Sequence, residues 1–300
     1  MLHSTAKWSF ILFCLFALGP AVSTLAFHLR DVDGGPAVSL LIGESLSAGL
    51  LAGTAALVAA LIAGIVGAAL FSMYTGLGCA GLVLAWSGWG LGTIDDFARR
   101  TRDGSDLTML GIEGMLAAIL AAGLAVMVMK VALAREHTGA VPSKHAVPPR
   151  VDSWVGALVV RAEENAKLIP AAGAGLILAA IVMGVVVWLA ALTPMRGQTL
   201  MAVVLGGMAA GLCAQLAASS FRVMLSPLAP LLGVAIVALV GPISAGVLHG
   251  AGFLPALFDG TLWPLARPLS LEWGAGALLG IPLGLAWGGS VLDLRAAGDD

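Results

Sequence analysis

Two carboxylates stand where an ionised group is expensive. Glu44 immediately precedes a stretch, Ser45 to Ile94, that contains no Asp, Glu, Lys, Arg or His, and Glu113 lies inside the next long apolar run. A charge held in hydrocarbon is costly unless it is paired or solvated, so such residues point to gates, coupling sites or ion pairs. Asp95, Asp96, Arg99, Arg100 and Arg102 close the uncharged stretch, and His249 ends a later apolar run. Traced through alternating membrane crossings, all of these residues reach one face of the bilayer, termed side A. The grouping predicts a polar vestibule in which Glu113 or Glu44 pairs with one of the arginines. Arg196, Asp259, Arg267 and Glu272 are further contributors on the same face. The competing expectation is an interfacial charge cluster that only holds loops, since charges at helix ends reach headgroups or water.

Other chemistries fit the residues less well. Asp95-Asp96-Phe97-Ala98-Arg99-Arg100 invites comparison with membrane enzymes that hold diphosphate groups through Asp-rich motifs and Mg²⁺. That chemistry needs carboxylates spaced to bridge a cation, usually with a second acidic site. Asp103 and Asp106 share the same short loop and supply none, so lipid or prenyl modification is the third choice of function. Haem in a membrane bundle needs axial ligands projecting from helices. Of His3, His28, His137, His145 and His249, only the last lies near a helix end in the expected order of elements. Gly76-Leu77-Gly78-Cys79-Ala80-Gly81 matches a dinucleotide fingerprint in letters only, because no strand precedes it in a βαβ unit. Neither a cofactor nor a metal is therefore expected, and a net charge of −2 without a basic arm gives no support for nucleic-acid binding.

The elements that carry these residues follow from composition. Hydrophobic residues make up 59% of the chain and charged ones 11%, with a mean hydropathy of +1.00. Soluble domains carry about a quarter charged residues, so this is an all-α, polytopic integral membrane bundle. A crossing needs about 20 apolar residues. Apolar runs at 8–27, 45–71, 77–94, 108–133, 168–192, 199–218, 228–248 and 274–292 predict eight transmembrane helices, within a range of seven to nine. The uncharged stretch must hold two of them, with a turn at Ser72 to Gly78. Lys7 followed by an apolar run and Ala21-Val22-Ser23 has the form of a signal peptide, but the run continues to Phe27 and reads as a first span bent at Pro20.

Eight crossings put both termini on side B. Six of the fifteen basic residues fall on side A (Arg30, Arg99, Arg100, Arg102, Arg196 and Arg267) and the rest on side B, so the positive-inside rule makes side B cytoplasmic. Arginine in excess of lysine, with abundant Ala and Gly, suggests a GC-rich bacterial genome and an inner membrane. The expected organisation is a four-helix half over 1–134, a Pro-containing linker over 135–150, and a second half over 151–300. That second half opens with a surface amphipathic helix starting at Asp152 or Ser153, carrying Trp154 at headgroup depth. An extension of the fifth span is the other reading of this segment.

Gly276, Gly280, Gly284 and Gly288 recur every fourth residue and make a groove along the last helix. Internal packing is the first reading of the groove; a second protomer or a membrane-protein partner is the other. Gly49 with Gly53 and Gly207 with Gly211 repeat the pattern. Cys14, Cys79 and Cys213 read as small core residues, Gln215 as an interhelical hydrogen-bonding residue, and Trp8, Trp86, Trp89, Trp188, Trp263 and Trp273 as interfacial anchors. Two function classes lead: a permease-like transporter of a small solute or ion with a path between the halves, and a non-catalytic membrane subunit or scaffold. A discontinuous helix at Gly241-Pro242 is the feature expected of the first.

Overall fold

The computed structural model describes residues 2–27, 37–40, 46–98, 106–137, 159–162 and 167–298. Glu44, Arg99, Arg100, Arg102, Trp154 and most of the expected linker lie outside the described residues. Among those described, eight helices are long and apolar enough to cross a membrane: Ser4–Leu25, Gly49–Leu70, Met73–Phe97, Asp106–Arg135, Leu168–Ala190, Arg196–Ser219, Leu228–Phe258 and Ser270–Val291. They are termed the first to eighth spans and match the eight apolar runs one for one.

The eighth span is the hub. It packs along the sixth and also against the third and fourth, while the seventh lies along the fourth, the fifth touches the sixth and seventh, and the first and second flank the third. With lipid as apolar as leucine, helices associate through close packing of small residues rather than through the hydrophobic effect. The glycine stripe does this work internally. A Cβ on Gly280 would overlap the carbonyl oxygen of Val204, and one on Gly284 that of Met208. From the opposite helix, a Cβ on Gly207 would lie 3.3 Å from the Cα of Gly280, and one on Gly211 would lie 3.3 Å from that of Gly284. The stripes of the sixth and eighth spans therefore meet glycine to glycine, and the occupant of the groove is the chain's own helix.

Local departures from expectation have physical causes. The turn expected over Ser72 to Gly78 is much shorter, because Ser72 caps the third span by accepting the Thr75 N–H at 3.2 Å. Gly76 is helical; a Cβ there would overlap the Gly64 carbonyl oxygen, so it serves the crossing of the hairpin rather than the turn. On side B, Arg135 donates to the Phe71 carbonyl at 2.8 Å, placing a cation at the negative end of the second span. In the first helix a π-helical turn, Cys14–Leu18, precedes Pro20, and the Gly19 N–H bonds the Cys14 carbonyl. The wider turn accommodates the proline, which has no N–H to donate.

The surface helix expected after Asp152 is corrected where it can be seen. Val159–Ala162 forms strand β1, paired antiparallel with β2, Val223–Leu225, in the register Val159 to Leu225 and Ala162 to Val223. Gln215 is the reason β2 has a partner on each side. Its Oε1 accepts the Leu225 N–H at 3.1 Å and its Nε2 donates to the Val223 carbonyl at 3.4 Å, so the side chain bonds a strand and not, as expected, another helix. Trp273 is also corrected: it is 1% exposed and sits inside the bundle rather than in an interfacial belt.

Candidate functional site

Side A carries a buried polar layer built around the start of the eighth span. Glu113, about a quarter of the way into the fourth span and 4% exposed, is its centre. Ser39 donates to Oε2 of Glu113, the Leu40 N–H donates to Oε1 at 3.0 Å, and Ser270 donates to Oε1 at 2.5 Å. Three parts of the chain are thus joined at one carboxylate: the fourth span, the eighth span and the short segment 37–40. That segment behaves as a strap. At its other end the Ala37 carbonyl accepts the Gly92 N–H at 2.7 Å. Val38 inserts beside Ile94, Phe97 and Leu107, and Leu40 covers Leu91 and Leu271. Gly49 and Gly53 make room for the strap, since a Cβ on Gly53 would lie 3.0 Å from Leu40 Cδ1 and one on Gly49 would overlap the Leu40 carbonyl oxygen.

A second carboxylate lies two residues beyond Ser270. Glu272 is 5% exposed; its Oε2 accepts the Leu269 N–H at 2.8 Å and its Oε1 accepts the Thr199 hydroxyl at 2.8 Å. Reaching back to the residue before the helix is the carboxylate half of a capping box. Thr199 ties the same carboxylate to the sixth span. Both buried acids therefore converge on one helix start.

Arg267 fixes the loop in front of that start. It is 5% exposed and donates to the carbonyls of Ala191 at 2.8 Å, Gly260 at 2.9 Å and Leu262 at 3.0 Å. The Ala191 carbonyl belongs to the C-terminal end of the fifth helix, where a cation is favoured. Burial pushes the guanidinium below its ordinary value, while the Asp95 carboxylate acts in the opposite direction. His249 serves the same loop, its Nε2 accepting the Trp263 backbone N–H at 3.3 Å. Arg196 donates to the Trp89 carbonyl and so joins the sixth span to the third.

Of the expected vestibule residues, Glu113, Glu272, Arg267, Asp95 and His249 are thus found on side A in or beside this layer. Asp259 is exposed, beside the Gly260 carbonyl that Arg267 bonds. Asp96 has a local use: its Oδ2 accepts the Thr93 N–H at 2.8 Å and the Thr93 hydroxyl at 3.0 Å, capping the short helix Ile94–Ala98. Asp96→Ala should lower stability by about 1 kcal/mol and leave the Glu113 contacts intact, as measured by unfolding in detergent. The residues that sequence reasoning missed are Ser39, Thr199 and Ser270. Hydroxyls carry no charge to betray them, and only Glu113 and Glu272 mark where they gather.

Two indole N–H groups, those of Trp263 and Trp273, are buried without an acceptor among the described residues. Trp273 lies against Gly114, whose Cβ would sit 3.3 Å from its ring. A separate groove of about 450 Å³ lies between the fifth and seventh spans, lined by apolar residues with Trp188 and Trp263 at its side-A end. It contains no carboxylate and faces hydrocarbon. Fold and composition define a multi-pass membrane protein in contact with the lipid bilayer. Compared with family models, curated proteins and solved structures, the chain has no match.

Proposed function

We propose that this protein is a permease-like carrier of a small solute or ion, gated on side A by the strap at 37–40, with Glu113 as its clasp. The observation that carries the reading is a carboxylate nine-tenths buried in a span, holding a strap and a helix start that nothing in the backbone ladder requires it to hold. Hydrogen bonds to an ionised acceptor are about twice as strong as neutral ones. Drawing the Glu113 carboxylate toward a cation weakens the bonds to Ser39 and Leu40 together and frees the strap. The indole N–H of Trp273, close to Gly114 and without an acceptor among the described residues, is a donor that a solute oxygen would satisfy. The excess of basic residues on side B supports cytoplasmic termini in a bacterial inner membrane, with side A outside.

The second reading is a non-catalytic membrane subunit. It is favoured by the seventh helix, Leu228–His249, which runs unbroken through Gly241-Pro242 instead of parting there. Reconstitution separates the two. Proteoliposomes with a pH-sensitive dye in the lumen, challenged with H⁺, Na⁺ or K⁺ gradients and a panel of radiolabelled small solutes, should dissipate a gradient or take up a solute. Glu113→Gln should change that rate by about tenfold or more, the factor expected when one to two charge-assisted bonds are lost from the closed state. Wild-type and variant vesicles that are both as tight as empty ones to every probe would leave the subunit reading in place.

A further inference from the structure

The groove between the fifth and seventh spans has no part in the side-A layer, and its walls are built to keep it open. Toward side B the two spans touch: a Cβ on Gly233 would overlap the Leu176 carbonyl oxygen and lie 3.1 Å from the Ala180 nitrogen. Toward side A they part. A Cβ on Gly184 would meet only Val237 Cγ1, at 3.9 Å, so this glycine serves no close crossing and leaves space instead. Leu265, in the 3₁₀ turn Pro264–Ala266, adds a third wall, seated on Gly241, where a Cβ would overlap the Leu265 carbonyl oxygen. Trp188 and Trp263 stand at the side-A end with ring centroids 6.3 Å apart.

The dimensions decide what fits. Ala180 stands at about the middle of the fifth helix, Leu168–Ala190, and Trp188 near its side-A end. The helix between them rises about 12 Å, close to one leaflet's share of a hydrocarbon core of roughly 30 Å. The groove thus runs from the bilayer midplane to the level where tryptophans meet headgroups. Its volume of about 450 Å³ falls in the range of ligand sites, roughly 300–1,000 Å³. Left empty, its walls would forfeit their dispersion contacts. Among the described residues no charged side chain lines it, so it offers a headgroup nothing to read.

We infer that this groove is a binding site for one acyl chain of a lipid in the side-A leaflet, with the methyl end of the chain at Ala180 and its ester end beneath the two tryptophans. The tail is held by close packing against both spans, as helices are held to each other in hydrocarbon. It also ties the loop that carries Trp263 and Leu265 to the fifth span. Recognition is of the chain and not of the headgroup.

The test uses the full chain in vesicles of phosphatidylethanolamine and phosphatidylglycerol that hold a trace of phospholipid with a diazirine in one acyl chain. After irradiation and digestion, mass spectrometry should find adducts on the groove walls about tenfold above those on Leu120 and Met127, the ratio that a preference of about 1.4 kcal/mol gives. Those two side chains of the fourth span are 50% and 53% exposed and report ordinary lipid contact. A diazirine at the methyl end should label Ile181, and one near the ester should label Val240 and Trp188. Changing the headgroup of the labelled lipid should leave both patterns as they are. Gly184→Phe fills the wedge and should bring the groove adducts down to the level of Met127. Ile181→Trp, at a side chain 57% exposed, blocks the mouth from the lipid side and should do the same if the phenylalanine variant does not fold. Labelling no stronger than at Leu120 and Met127, a pattern without order in depth or one that follows the headgroup, or adducts that survive in a folded variant would overturn the inference. So would a stoichiometric apolar compound other than a glycerolipid in the organic extract of the protein purified from its native membrane.

Discussion

Replacing Gly284 with valine should lower the stability of the bundle by at least about 3 kcal/mol, the upper range for overpacking a tight core. The added Cβ would overlap the Met208 carbonyl oxygen and approach the Leu212 nitrogen at 2.8 Å, and both belong to backbone. Backbone cannot rotate aside as a side chain does, so the sixth and eighth spans must separate along their whole contact. The eighth span also packs on the third and fourth, and the displacement spreads from there to the layer around Ser270 and Glu272. Thermal unfolding in mild detergent should show a fall of roughly 10 °C. Gly123→Ala is the matched control, because a Cβ at Gly123 meets nothing within 4 Å. Its midpoint should move by no more than about 0.5 kcal/mol worth of shift. Equal effects at the two glycines would show that the spans do not cross where the structure places them.

Arg267→Met should have a comparable effect for a different reason. The methionine keeps much of the stem volume but leaves the carbonyls of Ala191, Gly260 and Leu262 without their donor. Each buried group left unsatisfied costs about 1–3 kcal/mol, so the loss should be roughly 3 kcal/mol or more. Lysine should rescue little. A single ammonium cannot reproduce the planar fork, which bonds the end of the fifth helix with one nitrogen and the 260–262 turn with the other. Because the loop precedes the eighth helix directly, limited proteolysis should cut between 250 and 269 in both variants and not in the parent. Protection retained in Arg267→Met would mean that the loop is held by its apolar contacts alone.

The spans were legible because hydrophobic length is a local property and every crossing needs it. The glycine stripe was legible for the same reason, since a period of four residues places its members on one face wherever the helix goes. Glu113 could be singled out because a lone acid in an apolar run is costly at any position. What it bonds could not be read. Ser39 and Ser270 lie 74 and 157 residues from it in sequence, and a serine in a loop carries no sign of its destination. The surface helix failed on similar grounds. Val159-Val160-Arg161-Ala162 is compatible with a helix or a strand, and the choice falls to β2, a partner more than sixty residues downstream. Gln215 is polar and interior, as its place in an apolar run implies, but its partner is the backbone of β2, whose N–H and C=O groups must be paired near the bilayer.

The carrier reading depends on the strap being a gate, and this can be measured without knowing the solute. Leu91 is fully buried and lies beneath Leu40, so a cysteine there is shielded as long as the strap is closed. In a background with Cys14, Cys79 and Cys213 replaced by alanine, the rate at which Leu91→Cys reacts with a membrane-impermeant maleimide should be slow with Glu113 present. Adding Glu113→Gln should raise it about tenfold or more, since the variant lacks the carboxylate that accepts from Ser39 and the Leu40 N–H. An unchanged rate in the Gln variant, with the protein still folded by its unfolding midpoint, would contradict the gate and return Glu113 to a static tie between helices.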